Sequence, residues 1–313
     1  MITKNRQTDS IIKEMTKKAF PGKTAADIKE LTEGMCNVTY NITFTDGEEC
    51  ILKIAAKDTT GNTSNEICLM AAEVKAMELV RENCSFKVAK VLAYDCTKTL
   101  CDGDYFFMEK LPGVNYSFIK DKMPEETKRR IAREIGEISK QLCSITNPQF
   151  GFLGDTKRYN RLSDFVQTML ENLIEDGQKK NVDWGCDIKK LSEDFEKEKH
   201  IFDEVSFASL VHWDMWEGNV FVDKERVCGI IDWERAMWGE AFMDDRFRKH
   251  NRNADFLEGF GKKDFTESEL RRLRWYDIIL YMTMMVEVFY RGFEDKGQYY
   301  WSKEQLLGVL KEG

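Results

Sequence analysis

Three polar side chains within residues 210–245 have the types and the spacing that phosphoryl transfer requires. Asp214 and Asn219 lie in a short loop between two apolar segments, and Asp232 follows thirteen residues after Asn219, at the end of the apolar run CGII. Transfer of a phosphoryl group to a hydroxyl group needs a carboxylate that orients the hydroxyl and takes its proton. It also needs hard oxygen ligands for Mg²⁺. Asp214 suits the first role, and Asn219 and Asp232 suit the second.

Three residues in the first third of the chain could act on the phosphates of a nucleotide. Lys53 lies in the strand-like segment ILKIA, where an unpaired charge would be costly. Glu73 lies on the helix predicted to follow and could pair with that lysine. Gly34 precedes residues 38–44, which are predicted to pair with the ILKIA strand in a hairpin. A loop at Gly34 could cover the phosphates. These three residues are therefore predicted to form a phosphate-binding site, N-terminal in the sequence to the Asp214 loop.

Each of these residues also has a purely structural interpretation. Asp214, Asn219 and Asp232 could be ordinary turn residues, because Asp and Asn are common in turns. Lys53 could be a charge on an edge strand that faces water, and Glu73 could be a solvated helix position. The functional interpretation is favoured because the three turn residues occur together, at this spacing, beside apolar strands.

The first part of the chain mixes strand and helix periodicity. Residues 38–44 alternate in polarity, and Asp46-Gly47 is a hairpin turn signal. The predicted elements are a helix over 8–20, strands over 38–44 and 49–55, a helix over 65–83, and strands within 88–95 and 104–113. A small antiparallel sheet with a helix is therefore predicted for this part.

After residue 115, helical spacing dominates. Helices are predicted from Pro124, near 162–176, over 188–204 and through the apolar stretch 275–290, with short strands in 206–212, 219–223 and 227–232. Ser302 and Gln305 are predicted to form the capping box of the last helix. An α+β order of this kind argues against a doubly wound parallel sheet. The boundary between the two parts is predicted near Pro112-Gly113.

The catalytic segment resembles that of the aminoglycoside phosphotransferase and choline kinase-like family of small-molecule kinases. The family pattern H-G-D-x-x-x-x-N, followed by a strand that ends I-D-[FW], resembles residues 212–219 and 231–233. Its G-D-P-x-x-D segment resembles residues 239–244, and its hinge resembles FFMEKLPG at 106–113. The resemblance extends over residues 31–245 and implies a protein-kinase-like fold.

The resemblance implies two lobes, with residues 1–111 as a nucleotide-binding N-lobe that holds a small antiparallel sheet and residues 112–313 as a mostly helical C-lobe. ATP or GTP would lie between them, with its base hydrogen-bonded to the backbone near Glu109 and Leu111 and with Met108 at the back of the base pocket. An ATP- or GTP-dependent enzyme that phosphorylates a hydroxyl group of a small molecule is therefore expected.

The resemblance also assigns roles to the polar residues. Lys53, held by Glu73, would grip the phosphates, and Gly34 would lie in the loop above them. Mg²⁺ would be bound by Asn219 and Asp232, and Asp214 would be the catalytic base. In the same segment, His212 and Asp244 are expected to brace the loop by hydrogen bonds.

The chain departs from the family pattern at several positions, and only one Gly marks the predicted nucleotide loop. Trp213 replaces the usual Gly after the His, and Ala89 and Ala241 replace the usual Pro residues. None of these changes removes a catalytic group, so an active enzyme is predicted. The acceptor could be an aminoglycoside. Because the chain differs from the best-known resistance enzymes, another amine-bearing alcohol remains an open alternative.

The charge distribution bears on the acceptor. The chain has 47 basic and 55 acidic residues, and residues 200–245 contain 11 acidic and 3 basic side chains. An acidic chain argues against nucleic-acid binding, and a cationic or sugar-like acceptor is predicted. Four carboxylates there have no evident partner, namely Glu217, Glu234, Glu240 and Asp245. Four tryptophans could add faces for a sugar ring or a cation, namely Trp213, Trp216, Trp233 and Trp238.

Other classes of protein are disfavoured. A protein kinase would carry H-R-D and A-P-E segments, and the sequence contains neither. A pseudokinase that serves as an interaction module would not need all of the catalytic groups. The nine irregularly spaced cysteines predict neither disulfides nor a zinc site, and no signal peptide or membrane span is recognised. A cytoplasmic protein is expected, and the oligomeric state is left open.

Overall fold

The structure is a computed structural model that describes residues 4–32 and 37–312. Its N-terminal part is built on an antiparallel sheet of five strands in the order β1-β2-β3-β5-β4. The elements of this part are α1 (Asp9–Ala19), β1 (Ala25–Leu31), β2 (Val38–Phe44), β3 (Glu49–Ile54), α2 (Leu69–Asn83), β4 (Val91–Asp95) and β5 (Tyr105–Glu109). The predicted α+β class, with an antiparallel sheet first, is confirmed.

The hairpin of β2 and β3 forms as the alternating pattern predicts. Val38, Tyr40, Ile42 and Phe44 are all buried on one side of β2. Gly47 has a φ of +86°, a conformation that glycine adopts without steric cost. β3 is the central strand of the sheet, so Lys53 does not lie on an edge.

Strand β1 was not predicted from the sequence. It pairs with β2 at the edge of the sheet, and among its seven residues Ala25 alone is buried. An edge strand that packs so little of its surface does not need the apolar alternation that marks a strand in a sequence. Tertiary pairing with β2 therefore defines this element.

Helix α2 begins later than predicted, at Leu69 instead of residue 65. Residues 63–68 form a loop, and Cys68 has a φ of +46° at the start of the helix. Glu73 lies among the apolar residues of the inward face and is 1% exposed. A buried carboxylate in that position requires a partner.

The remainder of the described chain is mostly helical. Its helices are α3 (Tyr116–Ile119), α4 (Glu125–Leu142), α5 (Leu162–Lys179), α6 (Ile188–Glu198), α7 (Ala254–Phe260), α8 (Glu267–Tyr290) and α9 (Gly297–Lys311). Its strands are β6 (Val114–Asn115), β7 (Thr146–Asn147), β8 (Gly151–Phe152), β9 (Ala208–Val211), β10 (Val220–Asp223), β11 (Arg226–Ile230) and β12 (Met237–Gly239). They form two small sheets, β11-β10-β6 and β7-β9-β12-β8. The predicted boundary between residues 111 and 112 remains a prediction.

The predicted capping box at Ser302 is wrong. α9 begins at Gly297, and Ser302 is fully buried inside the helix. The Asp295 carboxylate accepts a hydrogen bond from the Gly297 amide at 2.7 Å, so the helix begins there. The capping box that does form is made by Thr266 and Glu269 at the start of α8.

No helix among the described residues is long and apolar enough to cross a membrane.

Candidate active site

A cavity of about 940 Å³ lies between the five-stranded sheet and the helical part. β3 and α2 contribute Lys53 and Glu73 to its walls, and the loops after β9 and β11 contribute Asp214 and Asp232. On the far side, α8 and the start of α9 contribute Leu280, Met284, Glu287 and Gln298. Four of the residues singled out in the sequence therefore border one space.

Lys53 is the centre of a buried charge cluster. Its Nζ atom is 2.6 Å from Glu73 Oε2, 2.6 Å from Asp232 Oδ1 and 3.5 Å from Glu234 Oε2. Burial opposes the charged ammonium, but the three carboxylates outweigh that effect and raise the pKa of Lys53. Burial raises the pKa of Glu73 to about 7. One ammonium among three carboxylates leaves an excess of negative charge beside the cavity.

The loop after β9 is fixed by His212. The Asp214 amide donates to His212 Nδ1 at 3.2 Å, and His212 Nε2 is 3.0 Å from the Ile231 carbonyl oxygen. These contacts fit a neutral imidazole that is protonated on Nε2. Burial lowers the pKa of His212 to about 4, in agreement with a neutral ring. The histidine thus connects the Asp214 loop to Ile231, which lies between β11 and Asp232.

Asn219 is hydrogen-bonded to Asp214. Its Nδ2 atom donates to the Asp214 carbonyl oxygen at 2.7 Å and to the Asp214 carboxylate at 3.3 Å. This orientation leaves the Asn219 Oδ1 atom as the one that could ligate a metal. Burial, together with the charges of Asp232 and Asp245, raises the pKa of Asp214, although Arg235 opposes the shift. A carboxylate in this environment has increased basicity.

Two residues of the site have left-handed backbone conformations. Trp213 has a φ of +76°, and Asp232 has a φ of +65°. Such conformations cost about 1–3 kcal/mol each in residues other than glycine and need support from their surroundings. The Trp213 amide donates to Asp244 at 3.1 Å, and the Trp213 carbonyl oxygen accepts from the Asp245 amide at 3.1 Å. The strained conformation of Trp213 is thus supported by two residues more than thirty positions later in the chain.

The predicted base-binding segment forms part of β5 and the residues that follow it. Met108 and Gly113 line the cavity, whereas Glu109 and Leu111 are not among the described residues that border it. The Glu109 amide already donates to the Lys90 carbonyl oxygen at 2.9 Å. Gly34 lies outside the described residues.

The four carboxylates expected to lack partners all have them. Glu217 contacts Lys120 at 2.6 Å and Arg246 at 3.3 Å, and these cations outweigh burial and lower its pKa to about 2. The contacts of the other three are Glu240 with Arg272 and Tyr276, Asp245 with Asn251 and His250, and Glu234 with Asn37 and Lys53. The expectation was wrong because most of the partners come from other segments of the chain.

The four tryptophans have different environments. Trp213 and Trp216 line the cavity, and Trp216 is 44% exposed. Trp233 and Trp238 are buried in the core. Only the first two could therefore contact an acceptor directly.

A second buried charge cluster was not foreseen from the sequence. Glu66 Oε1 is 2.7 Å from Arg235 Nη2 and 2.6 Å from Arg291 Nη2, and Glu287 also contacts Arg235. The partners in these three ion pairs lie 52 to 225 positions apart in the chain, whereas Glu287 and Arg291 are only four positions apart. No local pattern marks such partners, although Arg235 lies only three residues after Asp232.

The oxygen atoms of the site fit a hard divalent cation. Carboxylate oxygens of Glu73, Asp232 and Glu234 lie within 4.8 Å of one another, and the excess negative charge there would be neutralised by a cation. The donor set consists of carboxylate oxygens only, which suits Mg²⁺ better than zinc. Of this set, the sequence assigned a metal role to Asp232 but not to Glu73 or Glu234.

Solved structures with the same fold include several small-molecule kinases. The aminoglycoside phosphotransferase APH(4)-Ia, as a thermostable mutant in complex with AMP-PNP and hygromycin B, is 17% identical with a TM-score of 0.67, over 96% of this chain and 98% of that chain. The streptomycin-ATP complex of APH(2")-IIa is 17% identical with a TM-score of 0.61, over 97% of both chains. These similarities confirm the two-lobed protein-kinase-like fold.

A further structural relative comes from Haemophilus somnus 129PT and is provisionally assigned as a fructosamine-3-kinase. It is 13% identical with a TM-score of 0.69, over 96% of each chain. Among curated proteins, none matches the chain significantly. The sequence profile described as the phosphotransferase enzyme family matches residues 27–244, close to the region of resemblance recognised in the sequence. Because that match covers more than half of the chain, the protein belongs to the phosphotransferase enzyme family.

Proposed function

We propose that this protein is a small-molecule kinase that transfers the γ-phosphoryl group of ATP or GTP to a hydroxyl group. The observation that carries the proposal is the convergence of Lys53, Asp214 and Asp232 on one cavity, with the buried Asn219 hydrogen-bonded to Asp214. In the reaction, the acceptor oxygen forms a bond to the γ-phosphorus, and the bond from that phosphorus to the nucleoside diphosphate breaks. The proton of the hydroxyl passes to Asp214.

The nucleotide side of the cavity would be built from the sheet and α2. The base would contact the backbone at Glu109 and Leu111, with Met108 behind it. Because the Glu109 amide is bonded to Lys90, Glu109 would offer its carbonyl oxygen. Lys53 would exchange part of its contact with Asp232 for the phosphates while Glu73 keeps hold of it. Gly34 belongs to the same proposal as part of the loop above the phosphates.

Mg²⁺ would be held by Asn219 and Asp232, and it would neutralise charge on the phosphates during transfer. Glu234 lies close enough to Asp232 to join this set. The chain's own contribution is to orient these oxygens in advance. Asn219 is oriented by its bonds to Asp214, and Asp232 by its contact with Lys53. Fixed ligands of this kind reduce the reorganisation needed at the moment of reaction.

Asp214 would orient the acceptor hydroxyl and take its proton. Its amide is held by His212 and its carboxylate by Asn219, so the side chain has a defined direction. The raised pKa suits proton acceptance, because a more basic carboxylate takes a proton more readily.

The acceptor would be an amine-bearing alcohol or a sugar-like molecule. Asp214 and Asp245 border the acceptor side of the cavity, and Trp216 offers a half-exposed ring there. Carboxylates beside an aromatic face suit a cation or the apolar face of a sugar ring. The complexes of the related enzymes with hygromycin B and streptomycin support this class of acceptor.

A screen for acceptor-dependent ADP or GDP release tests the proposal. The panel contains aminoglycosides, choline-like alcohols, amino sugars and fructosamines, each with Mg²⁺ and either ATP or GTP, and with Asp214→Asn as the inactive control. We expect at least one compound to give turnover in the wild type, with the product confirmed by a mass increase of one phosphate. Nucleotide binding without turnover on any compound, and without slow hydrolysis, would favour the pseudokinase alternative.

A further inference from the structure

The loop that precedes α2 is bound to the helical part of the protein through consecutive side chains. We call residues 63–68 the anchor loop. The Ser64 amide and hydroxyl donate to the Asp176 carboxylate on α5 at 2.6 and 2.7 Å. Asp176 is 1% exposed and also accepts from the Tyr290 hydroxyl at 2.8 Å. Ser64 therefore binds a buried carboxylate on α5 that also accepts a hydrogen bond from α8.

The next residue of the anchor loop, Asn65, is also bonded to α5. Its Nδ2 atom donates to the Met169 carbonyl oxygen at 3.0 Å, and its Oδ1 atom accepts from Asn172 at 2.8 Å. One residue after Glu66, the carbonyl oxygen of Ile67 packs so tightly on Gly154 that a Cβ atom there would lie 2.1 Å from it. The anchor loop is thus held by the packing of its backbone on Gly154 as well as by the hydrogen bonds of its side chains.

Glu66 connects the anchor loop to α8 and to the turn after Asp232. Its Oε1 atom accepts from Arg235 and from Arg291, and its Oε2 atom accepts from the Thr63 amide at 2.9 Å. Glu287 completes the charge balance beside Arg235. All four carboxylate and guanidinium side chains are at most 16% exposed.

Helix α2 begins one residue after the anchor loop and carries Glu73. Seven positions separate Glu66 from Glu73, and because α2 begins at Leu69, the partner of Lys53 lies about one helical turn into the helix. Lys53, by contrast, belongs to the central strand of the sheet. The salt bridge between Lys53 and Glu73 therefore joins the sheet to a helix that is itself fastened to α5 and α8.

We propose that the anchor loop fixes α2 to the helical part of the protein and makes Glu66 a positioning residue for Glu73. Any opening of the cavity would then move the sheet, with Lys53, away from Glu73 and Asp232, while α2 stays in place. The effect on the positioning of Glu73 for catalysis rests on the proposed function, whereas the attachment of α2 to the helical part does not.

The chemistry of the cluster favours positioning over simple stabilisation. Buried ion pairs often add little net stability compared with well-packed apolar residues of similar size. Their geometry is nevertheless specific, because each guanidinium must face its carboxylates to be compensated. The start of α2 must be placed accurately for Glu73 to meet Lys53, and the geometry of the cluster supplies that placement.

The test compares Glu66→Gln with a matched control, Glu240→Gln. Glu240 is similarly buried and bonded to Arg272 and Tyr276, but it lies neither on the anchor loop nor along the cavity. Hydrogen–deuterium exchange is followed over α2 and over β3, with chemical unfolding of each variant as the measure of overall stability. Asn65→Ala, which removes two bonds of the anchor loop without a change of charge, serves as the milder variant if Glu66→Gln folds poorly.

We expect Glu66→Gln or Asn65→Ala to accelerate exchange in α2 but not in β3, and the control to leave α2 unchanged. Titration with Mg²⁺ and AMP-PNP should give about five- to tenfold weaker binding for Glu66→Gln and an unchanged affinity for Glu240→Gln. Equal exchange in α2 for the variant and the control, or unchanged binding in Glu66→Gln, would overturn the inference. If the wild type does not bind Mg²⁺ and AMP-PNP, the proposed function is refuted. The exchange data then test by themselves whether the anchor loop fixes α2.

Discussion

The backbone amide of Trp213 donates a hydrogen bond to the carboxylate of Asp244 at 3.1 Å. Trp213 occupies the glycine position of the pattern H-G-D-x-x-x-x-N, and it adopts a φ of +76° directly before Asp214. The other Asp244 oxygen accepts from the Arg246 amide at 3.2 Å. One buried carboxylate thus holds a strained residue whose neighbour would take the proton in the reaction.

Asp244→Ala should lower both stability and turnover. The substitution leaves two buried amides without an acceptor, which costs about 2–3 kcal/mol, and Asp244→Asn should cost roughly half because it keeps one oxygen. Relaxation of Trp213 would also displace Asp214, so kcat should fall more than the affinity for Mg²⁺ and AMP-PNP. Urea unfolding and steady-state kinetics measure the two effects.

Asp187→Ala is the matched control for that experiment. Asp187 also accepts two amide hydrogen bonds, from Lys189 and Lys190 at the start of α6, but it lies on the surface and away from the cavity. It should cost stability and leave kcat unchanged. A fall in kcat of equal size in both variants would mean that Asp244 acts through stability alone.

Asp214→Ala should remove most of the turnover while nucleotide binding stays nearly intact. A general base and positioning group contributes about 10²–10⁴ in rate. The measurements are kcat on the acceptor found by the screen and the affinity for Mg²⁺ and AMP-PNP by calorimetry. Turnover close to that of the wild type would show that another group accepts the proton.

Asp232→Ala should abolish the magnesium-dependent part of the stabilisation by nucleotide. Ligand at about a hundred times its Kd adds roughly 2.7 kcal/mol to the free energy of unfolding. The melting temperature is measured with AMP-PNP in the presence of Mg²⁺ or EDTA, for ATP and GTP analogues alike. If the wild type shows no difference between Mg²⁺ and EDTA, the proposed metal site is incorrect.

Glu217 should make stability depend on pH in the acidic range. Burial opposes its ionisation, but Arg246 and Lys120 lower its pKa to about 2, whereas the unfolded value is about 4.3. The ionised group therefore stabilises the fold above the unfolded pKa, by at most about 3 kcal/mol, and this contribution is lost as the pH falls from about 5 towards 2.

The variant Glu217→Gln isolates this contribution. The difference in unfolding free energy between the wild type and the variant should be largest near pH 7 and should narrow steadily below pH 5. Urea denaturation at a series of pH values measures that difference. A constant difference between pH 7 and pH 3 would show that folding does not lower the pKa of Glu217.

The proposed catalytic segment could be recognised from the sequence because its geometry is local. Asp214 and Asn219 lie five residues apart in one loop, and the hairpin of β10 and β11 returns the chain to Asp232. Short-range turns and strand alternation determine such an arrangement, and family resemblance adds Lys53 and Glu73. A lysine on a predicted strand and a glutamate on the helix that follows were enough to predict that Lys53 pairs with Glu73.

Partners distant in sequence were decided by the tertiary structure alone. The sequence shows that Glu217 and Glu240 are acidic, but their cations lie on other elements, Lys120 before α4 and Arg272 on α8. In the same way, Glu66 meets Arg291 across 225 positions. Periodicity reports which face of an element is apolar and carries no information about which buried charge on another element will face it. Burial makes an unpaired charge costly, so the fold had to bring these partners together, and only the folded chain reveals which ones they are.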